Sequence, residues 1–119
     1  MSDFEVIFYE KADGSQPAKE FILELDAKMK AKTLRTIKLL EDNGPDLRLP
    51  HSEHLEDGIF ELRTKLGSDI TRVLYFFMDG NRAVLTNGFV KKTQKTPEGE
   101  KEKAKRYRAD YLSRKGNSK

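Results

Sequence analysis

The segment from Ile70 to Met78 constrains the fold most. It reads Ile-Thr-Arg-Val-Leu-Tyr-Phe-Phe-Met, a long and mostly apolar run rich in aromatic and β-branched residues. Such residues favour a strand, and a strand apolar on both faces belongs in the middle of its sheet. The flanking sequence supplies its neighbours. From Gly58 the pattern has a period of two, with Phe60, Leu62 and Thr64 facing one way and Glu61, Arg63 and Lys65 the other. Gly67-Ser68-Asp69 forms a turn between these two runs. Asp79-Gly80-Asn81 is a hairpin turn into a third run, Arg82 to Val90. The consequence is an antiparallel meander.

Helices account for most of the rest. Phe4 to Tyr9 reads as a first strand and Lys11 to Ser15 as a loop. Ser15 is placed to cap a helix with Pro17 in its first turn. Ala18, Phe21, Ile22 and Leu25 then share one helical face. A second helix starts near Ala27, with Leu34, Ile37 and Leu40 as its buried stripe, and Asn43-Gly44-Pro45 stops it. Residues 46–57 read as an irregular connection. Lys91 to Lys95 is a basic loop. Thr96-Pro97 opens a last helix with Ala104, Tyr107 and Tyr111 on its apolar stripe, and residues 116–119 are expected to fray. The predicted fold is α+β, in the order β-α-α-β-β-β-α. Two N-terminal helices cross the sheet, and residues 1–119 form a single domain.

Composition narrows the function. The chain has no cysteine, which removes disulfides, thiolate catalysis and Cys-ligated zinc. No run approaches the length of a membrane span, and the start lacks the pattern of a signal peptide, so a cytoplasmic protein is expected. The net charge of +3 hides an asymmetry. Residues 1–59 carry 8 Lys/Arg against 13 Asp/Glu, a net of −5; residues 60–119 carry 15 against 7, a net of +8. A basic half of this kind suits a polyanion.

The cations group on the predicted sheet. Arg63 and Lys65 share a face, and the short turn brings Arg72 beside them on the next strand. Lys91, Lys92 and Lys95 follow the last strand. Arg72 stands out because it interrupts an apolar run, where a charge needs a partner or a purpose. If Arg72 balances a buried partner, its removal should destabilise the fold; if it clamps phosphate, with three cations crowded and no obvious acid beside them, its removal should leave stability level or raise it. His51 and His54 read as surface histidines. Phe60 and the aromatics of 73–77 read as core, whereas Phe89, after Gly88 and beside the basic loop, is placed to stack on a base. No phosphate-binding glycine loop or serine elbow is present, and no metal or other cofactor is called for.

Three stretches carry a family resemblance: Gly58-Ile-Phe-Glu-Leu-Arg-Thr-Lys65, Thr71-Arg-Val-Leu-Tyr-Phe-Phe77, and Gly88-Phe-Val-Lys-Lys-Thr-Gln-Lys-Thr-Pro97. Together they resemble the RelE/HigB toxins, and more narrowly the phage-derived, HigB-like branch of the RelE/ParE superfamily. The resemblance implies a type II toxin held inactive by a small helix-turn-helix antitoxin. Such a toxin enters the ribosomal A site and cuts messenger RNA. It also implies that the family's strand arginine falls on Arg72, its preceding basic residues on Arg63 and Lys65, and its last on Lys91 or Lys92. The RelE branch often has Lys where this chain has Glu61, and RelE has a Tyr near Thr96-Pro97, so the acid and base stay open.

The chemistry agrees with that implication. RNA carries its own nucleophile, the 2′-hydroxyl, so a protein need only align it, stabilise charge and move protons. Guanidinium groups grip phosphate bidentately, which suits Arg63 and Arg72. Cationic neighbours lower a lysine pKa, which suits Lys65 or Lys91 as proton movers. The rivals are a ParE-like inhibitor of DNA gyrase and a non-catalytic nucleic-acid-binding module.

Overall fold

The structure, a computed structural model, describes residues 4–117. Its strands are β1 (Glu5–Phe8), β2 (Ser52–Glu56), β3 (Ile59–Leu66), β4 (Asp69–Met78) and β5 (Arg82–Val90). Its helices are α1 (Pro17–Leu23), α2 (Ala27–Asn43) and α3 (Glu98–Asn117), with a 3-10 turn at Gly44–Asp46. The five strands form one sheet in the order β1-β5-β4-β3-β2, with the apolar run in its centre as β4. β2 to β5 make an antiparallel meander, and β1 adds to β5 in parallel.

Two expectations change. The sheet is mixed rather than wholly antiparallel, because α1 and α2 carry the chain across and let β1 lie parallel to β5. The connection 46–57 also contains a strand, so the order is β-α-α-β-β-β-β-α. β2 is an edge strand of sequence Ser-Glu-His-Leu-Glu in which only Ser52 is buried, so it carries no apolar run. Its hairpin to β3 turns on Asp57 and Gly58, both with positive φ (52° and 75°). Asp79 and Gly80 do the same between β4 and β5, with φ of 59° and 73°.

Each face of the sheet has its own core. On one, Leu62, Val73, Tyr75, Ala83 and Leu85 pack against Ala18 and Ile22 of α1 and Leu40 of α2. Gly88 lies directly under the Phe21 ring, so that even a Cβ there would collide with it. On the other, Ile59, Leu74, Phe76, Val84 and Phe89 pack with Tyr9 and with Ala104 of α3. The alternation of Val73, Leu74, Tyr75 and Phe76 between these cores explains why β4 is apolar throughout.

Helix details follow from local chemistry. The N-cap of α1 is Gln16, not Ser15, whose hydroxyl is spent on Asp13 Oδ1 at 2.6 Å. Glu20 instead accepts from the Gln16 N–H at 2.9 Å. Asp26 caps α2 through Met29 N at 3.0 Å. The buried side of α2 is Met29, Thr33, Thr36 and Leu40, with Ile37 half-buried and Leu34 left 48% exposed. The rotation puts Thr36 where its hydroxyl accepts from Thr64 of β3 at 3.0 Å.

Helix α3 docks through ion pairs. Glu56 receives Lys105 at 2.7 Å and Lys101 at 2.9 Å, and these two ammonium groups hold its carboxyl down at about 2. Arg108 reaches Asp57 at 3.0 Å. Tyr9 donates to Asp110 at 2.5 Å and stacks on Tyr107, and burial with that carboxylate pushes its phenol to about 12. The assigned helix starts one residue after Pro97. Gly116 and Asn117 lie within it, while Ser118 and Lys119 fall outside the described residues. Among the described residues no helix is long and apolar enough to cross a membrane.

Candidate functional site

β2 ends opposite Leu62, at Ser52, so β3 continues beyond it as a free edge. The last tie across is Arg63 N–H to the His51 carbonyl at 2.8 Å. Along this edge runs a cleft of about 820 Å³. The sheet contributes Arg63, Thr64 and Lys65 from β3 and Ile70 and Arg72 from β4. Helix α2 contributes Lys32, Arg35, Thr36, Lys38 and Leu39, and Pro50 with His51 closes the corner. Six of these residues are Lys or Arg, and no Asp or Glu is among them. That concentration of one sign on a concave surface attracts an anion.

Arg63, Lys65 and Arg72 therefore come together, with Arg63 directly opposite Arg72 in the β3–β4 register. Lys65 is exposed and makes no ion pair among the described residues. Lys91 lies one strand further from the edge; its N–H bonds the Ile70 carbonyl at 2.9 Å. Neither it nor the exposed Lys92 and Lys95 lines the cleft.

Arg72 is not the unpartnered cation expected. Its side chain is 4% exposed, and its Nε lies 3.3 Å from Oε1 of Glu61, itself 3% exposed. Burial lowers the Arg72 pKa, and the Glu61 carboxylate opposes that. Nη1 donates to the Thr71 carbonyl at 3.1 Å. The acid was overlooked because Glu61 sits diagonally across from Arg72, opposite Leu74, and diagonal neighbours are within reach of long side chains. Glu61 also lies 3.9 Å from Arg63 Nε and accepts from the Thr96 hydroxyl at 2.9 Å. Arg63 has a further contact with Glu53 at 3.4 Å and keeps 31% of its side chain exposed.

Phe89 is corrected too. It is 8% exposed within the α3-side core, so its faces are covered and cannot receive a base. Of the histidines, His54 lies in β2, and its Nε2 accepts from Gly58 N of the following turn at 3.2 Å. His51, read from the sequence as a plain surface residue, lines the cleft.

Lys32 and Arg35 are site residues that the sequence reading missed. Their signal was present: five cations and no acid occupy residues 27–40. Counting charge by halves submerged that helix in a segment of net −5.

A five-stranded mixed sheet with helices on both faces and a cation-lined cleft at one edge defines a small α+β protein whose candidate site has the charge to attract an anion. Residues 20–109 match the protein family described as "Phage derived protein Gp49-like (DUF891)", and the chain belongs to that family. This family lies within the RelE/HigB-like toxins and is associated with toxin–antitoxin pairs. No curated protein matches the chain.

Proposed function

We propose that this chain is the toxin of a type II toxin–antitoxin pair, a ribonuclease that cuts messenger RNA in the ribosomal A site. The observation that carries the reading is the cleft, whose charged lining is cationic on both the sheet wall and the α2 wall. An RNA backbone presents one negative charge per nucleotide, and such a groove tracks it. The free β3 edge keeps the sheet wall open to an extended strand.

The residues divide the work by chemistry. Arg63, which keeps 31% of its side chain exposed, meets the phosphate, and Arg72, buried in the cleft wall beside it, adds positive charge that stabilises what builds as the 2′-hydroxyl attacks. Lys65, Lys32 and Arg35 hold the neighbouring backbone. His51 also lines the cleft, so it joins Lys65 as a candidate proton mover. Lys91 lies outside the lining and fits that task less well. Lys92 and Lys95 are placed for peripheral RNA contacts. The proposed partners are the ribosome with its message and a helix-turn-helix antitoxin, all in the cytoplasm.

Expression without the antitoxin tests the reading. Growth should stop with polysomal messages cut and purified gyrase still supercoiling DNA. Lost supercoiling over intact messages would place the protein with the ParE-like inhibitors instead. RNA binding without cleavage would make it a non-catalytic module.

A further inference from the structure

Arg63 and Arg72 stand directly opposite each other on adjacent antiparallel strands, where like charges repel. Glu61 lies at the junction. Its carboxylate forms ion pairs with Nε of Arg72 at 3.3 Å and with Nε of Arg63 at 3.9 Å, neither of them a hydrogen bond, and its Oε1 accepts from Thr96 at 2.9 Å. A buried ion pair gives little net stability over an apolar pair of similar size. The arrangement gives something else, a fixed orientation for two guanidinium groups and an anchor for the segment that follows β5.

We propose that Glu61 is a positioning residue, whose carboxylate lies between Arg63 and Arg72 and by ion pairing sets where the two guanidiniums stand in the cleft wall that a phosphate of the bound strand meets. The proposal rests on the cleft being an RNA-backbone site. A guanidinium is a rigid, planar fork, so a carboxylate charge beside it biases where its amino groups point. Thr96 extends the hold to the basic segment Lys91–Lys95, tying it to the sheet through the same carboxylate. The negative charge also weakens the cleft's attraction for RNA. Glu61 therefore acts in opposite directions on affinity and on geometry.

That opposition makes the inference testable with Glu61→Gln, which keeps shape and an acceptor for Thr96 but removes the charge. Two quantities are read on the full chain: binding of a 2′-O-methyl RNA oligonucleotide across a salt series, and single-turnover cleavage of ribosome-bound message at saturating protein. The positioning role predicts tighter binding at low salt, a slope of log K against log salt steeper by about 0.7, and cleavage slower on the order of 100-fold, as loss of alignment costs. A residue with only a structural role would lower both in proportion to the folded fraction of the same sample. That result, or unchanged cleavage, overturns the proposal. If Glu61→Gln does not fold, Glu61→Asp, which keeps the charge and withdraws it, decides: full cleavage by folded Glu61→Asp overturns it. If the wild type itself cuts nothing, the ribonuclease reading fails, and the arginine side-chain NMR spectrum still judges Glu61. Arg72 and Arg63 Nε resonances that shift in Glu61→Gln support the hold; unchanged resonances refute it.

Discussion

Arg72→Ala leaves Glu61 buried at 3% exposure with the Thr96 hydroxyl and a guanidinium at 3.9 Å as its remaining partners. Removing one member of a buried pair costs about 3–5 kcal/mol, because the surviving charge is neither solvated nor neutralised. The native state of a domain this size is worth roughly 5–15 kcal/mol, so the loss is a large fraction of it. At about 4 °C per kcal/mol for a chain of this length, the melting temperature should fall by roughly 12–20 °C. Crowded cations alone would have predicted a level or higher Tm; Glu61 reverses the sign. Replacing both residues, Glu61→Leu with Arg72→Leu, should recover most of the loss, since an apolar pair serves a core at least as well. Urea and thermal melts followed by far-UV circular dichroism measure both. A single Arg72→Ala variant melting within a degree or two of wild type would refute the buried-pair argument.

Lys32→Ala combined with Arg35→Ala should flatten the salt dependence of single-stranded RNA binding by about 1.4 in log K against log salt. Lys92→Ala with Lys95→Ala, outside the cleft lining, should change it much less, and anisotropy titrations compare the two. Glu56, held near 2 by Lys105 and then Lys101, has a folded pKa below its unfolded value, so its contribution is present above about pH 4.5 and lost as pH falls toward 2. Glu56→Gln should therefore lower stability at pH 7 and make the acid limb of a pH-melt series shallower. Tyr75, which is hydrogen-bonded to Ser52, is pushed to about 12 by burial, so its contribution is present below pH 10 and lost as pH rises toward 12. Tyr75→Phe should show a shallower alkaline limb in the same series, at a cost of about 1 kcal/mol for the unpaired Ser52 hydroxyl.

Sequence patterning revealed most of the sheet because β3, β4 and β5 have short connections and plain periodicity. β2 escaped because an edge strand needs no apolar run, although the Asp57-Gly58 turn beside it was a hairpin signal in its own right. The parallel pairing of β1 with β5 depends on a contact some 77 residues apart along the chain, as in Glu5 with Arg82, and no local pattern encodes it. Leu34 looked buried because hydrophobic spacing treats threonine as polar, whereas Thr33 and Thr36 are buried, Thr36 with its hydroxyl donating to the Lys32 carbonyl and accepting from Thr64. At the site, the two arginines and Lys65 were legible from strand alternation. The Glu61 partnership required the register as well, since it is diagonal. The α2 wall required knowing which side of that helix faces the β3 edge, and the burial of Phe89 required knowing where α3 lies.

Cleavage of a translated message is the central claim, and ribosomes programmed with a defined messenger RNA test it most directly. Purified protein is added, and the 5′ ends of the RNA are mapped by primer extension beside a folded Arg63→Ala, Lys65→Ala variant. New ends should appear within A-site codons, dependent on the ribosome, with the variant slower by on the order of 100-fold or more. An intact message under the wild-type protein, bound or unbound, would contradict it.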